Sequence, residues 1–292
     1  MTTAFVLSGG GSLGAVQVGM LIALAERDIV PDLVVGTSVG AINAAWVAGR
    51  PGLDGARQLA EVWRSVRRDD VFPVRPLVGF LGFVGRSDHL VPSEPLRALL
   101  RRHLTYSRLE DAPLPVQVVT TEITTGIEVV LSRGDAVDAI AASAAIPGIF
   151  PAVQIEGQRL VDGGVTDNTP ISHAIGAGAT TIYALPTGYA CALHGAPSSA
   201  LGMALQAITL LVQQRLAADV AHYRDDVDLR VLPALCPLAV SPVDFSHTGE
   251  LIDRAHASAA RWLDSADHSR NQATVLGLHR HEPHGERSRP AP

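Results

Sequence analysis

Leu33-Val34-Val35-Gly36-Thr37-Ser38-Val39-Gly40-Ala41-Ile42 is the stretch whose reading decides the fold. The apolar run Ile29–Val35, around Pro31 and Asp32, reads as a strand, and the Ala-rich Ala41–Ala48 as a helix. Ser38 falls between them, two residues after Gly36 and two before Gly40. A sharp strand-to-helix turn strains the residue at its apex and leaves room only for small residues on either side. That is the spacing of a nucleophile elbow. The helix N-terminus then points unpaired N–H groups and its positive dipole end at Ser38, favouring negative charge that develops there.

Working outward, Ala4–Ser8 reads as a short buried strand, Gly9–Gly11 as a glycine run, and about Leu13–Arg27 as a helix. Strand and helix alternate from the first residue, which predicts an α/β fold. The expected form is a three-layer α/β/α sandwich around a mainly parallel sheet covered on both faces. Further helices are expected over Leu53–Arg67, Ser93–His103 (with Ser93 as N-cap), Asp135–Ser143, Pro170–Ala177, Ser199–Tyr223 and His247–Ala266. Further strands are expected over Val116–Thr121, Glu128–Leu131, Arg159–Val161, Thr181–Leu185 and Asp228–Leu232.

Composition narrows the function. The chain has 292 residues, 47% of them hydrophobic, enough for a large core. Net charge is −6 with no dense basic stripe, so no nucleic-acid partner is expected. All 23 basic side chains are Arg, which excludes a Walker lysine and a Schiff-base lysine. Cys191 and Cys236 lack metal-ligand spacing and are expected to be reduced, suiting a cytoplasmic location. Met1–Phe5 shows no charged leader or cleavage site, and no stretch has the roughly 20 apolar residues a spanning helix needs. Neither a metal nor a cofactor is expected, and the oligomeric state is not readable.

Gly9-Gly10-Gly11-Ser12-Leu13-Gly14 matches the glycine spacing of a dinucleotide loop. That motif needs an acid at the end of the second strand to hold the ribose hydroxyls. Here the strand ends in Gly36-Thr37-Ser38, with Asp32 before it. The alternative is an oxyanion hole, in which the bare amides of Gly10, Gly11 or Ser12 face a tetrahedral oxyanion formed on Ser38. Consecutive parallel strands lie side by side, so both loops emerge on one sheet edge. The oxyanion reading accounts for both loops; a nucleotide-binding or regulatory protein using Gly9–Gly14 without hydrolysis is the alternative.

A serine hydroxyl needs a base. Of the 11 His residues, His279, His281 and His284 lie in the tail and His103, His222 and His256 in helical stretches; His173, His194 and His247 are the plausible candidates, and none lies in a glycine-lined loop. Asp162 is better placed, ending the strand Leu160-Val161 just before Gly163-Gly164. Burial would raise its pKa and strengthen it as a base.

Three motifs in order, Gly9–Gly14, Gly36–Gly40 and Asp162-Gly163-Gly164, resemble those of the patatin-like phospholipase family. Ala142-Ser143-Ala144-Ala145-Ile146-Pro147, Phe150-Pro151 and Gly164-Val165-Thr166-Asp167-Asn168-Thr169-Pro170 match as well. The resemblance spans about residues 4–185. It implies a patatin-like fold and a Ser38–Asp162 dyad. It also implies an oxyanion hole drawn from Gly9, Gly10, Gly11, Ser12 and Gly14, with Gly36 and Gly40 flanking the nucleophile and Gly163 and Gly164 the base. The implied reaction is acyl-ester hydrolysis of lipids. Leu13 stands where many relatives carry a basic residue, so phospholipid preference is not implied as directly. Residues 186–278 read as an extension on the same core and 279–292 as a disordered tail. Leu77–Val84 reads either as a buried connector or as a lip that meets a membrane surface.

Overall fold

The computed structural model describes residues 1–73, 88–188, 200–236, 238 and 240–265. The Leu77–Val84 segment, Cys191, His194 and the tail from His279 lie outside them. An eight-stranded sheet is the middle layer. Its strands are β1 (Thr3–Leu7), β2 (Leu33–Thr37), β3 (Val116–Glu122), β4 (Glu128–Leu131), β5 (Val153–Ile155), β6 (Gln158–Asp162), β7 (Thr181–Leu185) and β8 (Asp228–Val231). The order β3-β2-β1-β7-β8 is parallel throughout. β4, β5 and β6 form an antiparallel flank around β3.

The parallel strands read as continuous apolar runs because both faces are covered. Phe5, Leu7, Val34 and Val118 point into one core. That core is closed by α1 (Gly14–Ala25), α2 (Val39–Gly49), α3 (Leu53–Ser65), α5 (Glu94–His103) and α9 (Thr248–Asp264). The alternate residues Ala4, Val6, Leu33, Val35 and Val119 point into a second core, with α7 (Ile171–Gly176) and α8 (Ala200–Tyr223). The period of two is the pleat itself. Two short helices, α4 (Arg68–Val71) and α6 (Ala136–Ser143), complete the set among the described residues.

One topological detail positions everything that follows. On β3, Val118 and Val119 pair with both β2 and β4, while Thr120 and Thr121 pair with both β4 and β6. A strand has two edges, so β2 and β6 must share the edge opposite β4. β2 climbs that edge in parallel as far as Val119, and β6 descends it antiparallel as far as Thr120. The two strands therefore meet head-on, C-terminal end to C-terminal end, and Ser38 and Asp162 are the residues at the meeting point.

Several expectations need correcting. β5 was not foreseen; three residues are too few to show alternation, and its hairpin turns at Glu156 and Gly157, both with positive φ. α4 was missed too, a single turn closed by Asp70 accepting the Arg67 N–H at 2.8 Å. Ser93 occupies the N-cap of α5, but its side chain makes no capping bond; Pro95 in the first turn sets the entry instead. Cys236 is disulfide-bonded, against the expectation of reduced thiols. The cysteine argument for a cytoplasmic location falls with it. No helix among the described residues is long and apolar enough to cross a membrane.

Candidate active site

Ser38 sits between β2 and α2 with φ 56° and ψ −127°, a conformation costly for a side chain with a Cβ. The neighbouring glycines make it sterically attainable. A Cβ on Gly36 would lie 2.4 Å from the Gly40 carbonyl oxygen, and one on Gly40 would lie 2.1 Å from that of Leu7. The strained turn is held from outside by Ser143 at the end of α6. Its Oγ accepts the Ser38 N–H at 2.8 Å and donates to the Val119 carbonyl at 2.6 Å, with both bonds buried.

Because β6 ends against β2, Asp162 faces Ser38 directly. The Ser38 hydroxyl donates to Asp162 Oδ2 at 2.6 Å, and both residues are buried. Asp162 Oδ1 accepts the Gly164 N–H at 2.8 Å, and the Asp162 N–H donates to the Ala145 carbonyl at 3.0 Å. Gly163 lets the chain leave the sheet at this crowded junction, since a Cβ there would meet the Val119 oxygen at 2.3 Å. Burial pushes the Asp162 carboxyl up to about 6, against the opposing pull of the bonds from Ser38 and Gly164.

β1 pairs with β2 so that Leu7 lies opposite Gly36, and the glycine loop emerges beside the elbow. The site of a Cβ on Gly9 is 3.0 Å from Ser38 Cβ. The loop is pinned at both ends. The Gly9 N–H donates to the Asn168 carbonyl at 3.1 Å, and the Gly9 carbonyl accepts from Thr187 Oγ1 at 2.7 Å. The Ser12 N–H donates to the Pro242 carbonyl at 2.7 Å. Gly14 opens α1, its N–H already bonded to the Gly11 and Ser12 carbonyls. Between the pins, the N–H groups of Gly10 and Gly11 meet no acceptor among the described residues. Of the expected loop amides, these two are the ones open to an oxyanion.

A buried polar chain braces the loop to α2. Gln17 donates to the Ser8 and Leu185 carbonyls, Asn43 donates to Gln17 Oε1 at 2.8 Å, and Trp63 Nε1 donates to Asn43 at 3.0 Å. Sequence reasoning did not assign roles to Gln17, Asn43, Ser143, Asn168 or Thr187. Asn43, Ser143 and Asn168 lie within stretches flanking the motifs, while Gln17 and Thr187 carry no local signal.

Among the described residues, no histidine is hydrogen-bonded to Ser38 or Asp162. His173 Nε2 bonds Glu128 at 3.0 Å, and His247 sits between Asp244 and Glu250 near the surface. Glu128, Asp167 and His173 bring their donor atoms within 4.8 Å of one another, the one grouping of metal-ligand type among the described residues. The favourable charges of Arg215 and His173 act on Asp167 here, so the group reads as an ion-pair network. Burial, with the charges of Glu128 and Asp219, pushes Asp167 up to about 6 as well.

Ser38 and Gly11 line an apolar cavity walled by α2, α3 and α5 and by Phe72, Phe150 and Phe245. A polar pair at the wall of an apolar cavity suits an ester whose reactive group is polar and whose remainder is a hydrocarbon chain.

Residues 5–175 match the family model described as patatin-like phospholipase. Among curated proteins, the chain is 30% identical over 196 residues to lysophospholipase NTE1 of Mycosarcoma maydis, covering 64% of this chain and 10% of that protein. It is 30% identical over 189 residues to patatin-like phospholipase domain-containing protein 6 of Homo sapiens, covering 64% of this chain and 13% of that one. The chain thus spans a small part of the length of these relatives. Among solved structures, VipD from Legionella pneumophila is similar with a TM-score of 0.48 and 16% identity, covering 90% of this chain and 66% of VipD.

Proposed function

This chain belongs to the patatin-like phospholipase family, and from that premise we propose that it is a serine lipid acyl hydrolase working through a Ser38–Asp162 dyad and an acyl-enzyme. The observation that carries the reading is the buried 2.6 Å hydrogen bond from Ser38 to a carboxylate raised to about 6, beside an apolar cavity. An ordinary aspartate is a weak base at neutral pH; one raised by burial is a stronger base and still ionised at pH 7.

Asp162 takes the Ser38 proton as Oγ attacks the ester carbonyl carbon. The carbonyl electron pair moves to oxygen, and the Gly10 and Gly11 N–H groups receive the oxyanion. The intermediate collapses, the bond to the alcohol oxygen breaks, and the departing alkoxide takes the proton from Asp162. Water then attacks the acyl-serine, giving its proton to Asp162, and the acid leaves as Ser38 regains its hydrogen. Each oxyanion donor is worth on the order of 10²–10³ in rate.

The substrate is read as a lipid or other acyl ester, met in transient contact with a membrane surface. Leu13, at a position where the family resemblance places a basic residue in many relatives, fits a neutral ester. Residues 4–185 are taken as the catalytic unit, and those from 186 onward as an extension carrying β8, α8 and α9 onto the same core. The test is release of p-nitrophenol from p-nitrophenyl butyrate by wild type, Ser38→Ala and Asp162→Asn. Both variants are expected to be inactive while remaining folded; wild-type rates in both would overturn the dyad.

A further inference from the structure

We propose that the cavity beside Ser38 is an acyl ruler, with Trp46 as the residue that ends it and so determines chain-length preference. The inference rests on the ester-hydrolase reading above and names the substrate class more closely. Ser38, Val39, Ile42 and Trp46 all line the cavity. On α2 these residues lie on one face, at helical spacing from the nucleophile, so the cavity runs along the helix from its N-terminus. Eight residues at the helical rise put Trp46 no more than about 12 Å from Ser38. An extended chain advances about 1.2 Å per bond, so that length holds about eight to ten carbons.

A ruler needs a stop that does not yield, and Trp46 is fixed on two sides. Its Nε1 donates to the Gly55 carbonyl at 2.8 Å, and the Arg50 guanidinium lies 4.2 Å from the centre of its ring. The His103 ring, which also lines the cavity, lies 6.0 Å from that of Trp46 centre to centre, and Arg50 also donates to the His103 carbonyl at 2.8 Å. Ile42 marks the midpoint, about 6 Å from the nucleophile by the same rise.

The experiment is kcat/KM for p-nitrophenyl esters from butyrate to palmitate, with wild type, Trp46→Leu and Ile42→Phe. Each methylene kept inside the cavity is expected to add about fourfold, so the wild-type profile climbs to octanoate or decanoate and falls beyond. Trp46→Leu should move the maximum toward tetradecanoate. Ile42→Phe should move it to butyrate or hexanoate, a shift that does not depend on opening a cavity near a buried tryptophan. A wild-type profile that rises steadily to palmitate, or a maximum unmoved in both variants, overturns the ruler while leaving ester hydrolysis standing. No hydrolysis of any ester, with Ser38 unlabelled by a fluorophosphonate, overturns the hydrolase reading and the ruler with it.

Discussion

Ser143 works in both directions, receiving the Ser38 N–H and donating to Val119, and thereby holds a serine in a backbone conformation it would not choose. Ser143→Ala leaves both groups buried and unpaired, at a cost of about 1–3 kcal/mol. It should lower kcat about tenfold or more with little change in KM for a short ester. Steady-state kinetics beside a thermal melt would check this, and an unchanged kcat would remove Ser143 from any positioning role. Asp162 carries a second consequence. Its carboxyl rises from 3.8 to about 6 on folding, so the folded protein binds that proton more tightly than the unfolded chain does. Stability from this group is therefore greatest below about pH 4 and falls as pH climbs through 6, by roughly 3 kcal/mol in all. Asp162→Asn escapes that loss, and should melt higher than wild type at pH 8 but not at pH 4. Equal melting gaps at both values would contradict the buried charge. Activity runs the other way: kcat/KM should rise with pH through an acid limb near 6. Asp167→Asn should keep that limb, although Asp167 titrates in the same range. Ser38, Asp162 and the glycines were legible because each motif packs a chemical group and its steric requirement into a few adjacent residues. Gln17 and Thr187 were not, because what they touch is set by strands far away in the chain.

Strand-helix alternation and apolar runs made β1, β2, α1 and α2 readable to within a few residues, since burial on both faces writes itself into consecutive positions. β5 and α4 are too short to show a period. The head-on meeting of β2 and β6 was unreadable for a different reason, because it depends on antiparallel pairing with β3 across forty residues. Close packing of the elbow against the end of β1 gives glycine substitutions opposite predicted outcomes. Gly40→Ala drives a Cβ to 2.1 Å from the Leu7 carbonyl, with backbone on both sides of the contact. It should cost several kcal/mol and yield little soluble protein, on the order of an overpacked core. Gly176→Ala, at the end of α7, meets nothing within 4 Å and should leave the melting temperature unchanged or slightly raised. Parallel expression and calorimetry of the two variants would settle the contrast; equal stabilities would mean the elbow is not as tightly packed as its geometry requires.

At the scale of the molecule, five parallel strands bring the glycine loop and the elbow to one edge, and the antiparallel flank delivers the carboxylate to the same point from the opposite direction. The layers were legible from the chain; the convergence followed from family resemblance, and its mechanical cause appears only in the pairing. α1, α2, α3, α5 and α9 cover one face, and the cavity lies between three of them, next to Ser38. The proposed function reduces to one chemical statement, that a single serine receives the acyl group. Wild type treated with an alkyl fluorophosphonate, digested and mapped by mass spectrometry, should carry one adduct, on the peptide containing Ser38, with ester hydrolysis lost in step with labelling. An adduct on another residue, or hydrolysis that persists after Ser38 is fully labelled, would contradict it.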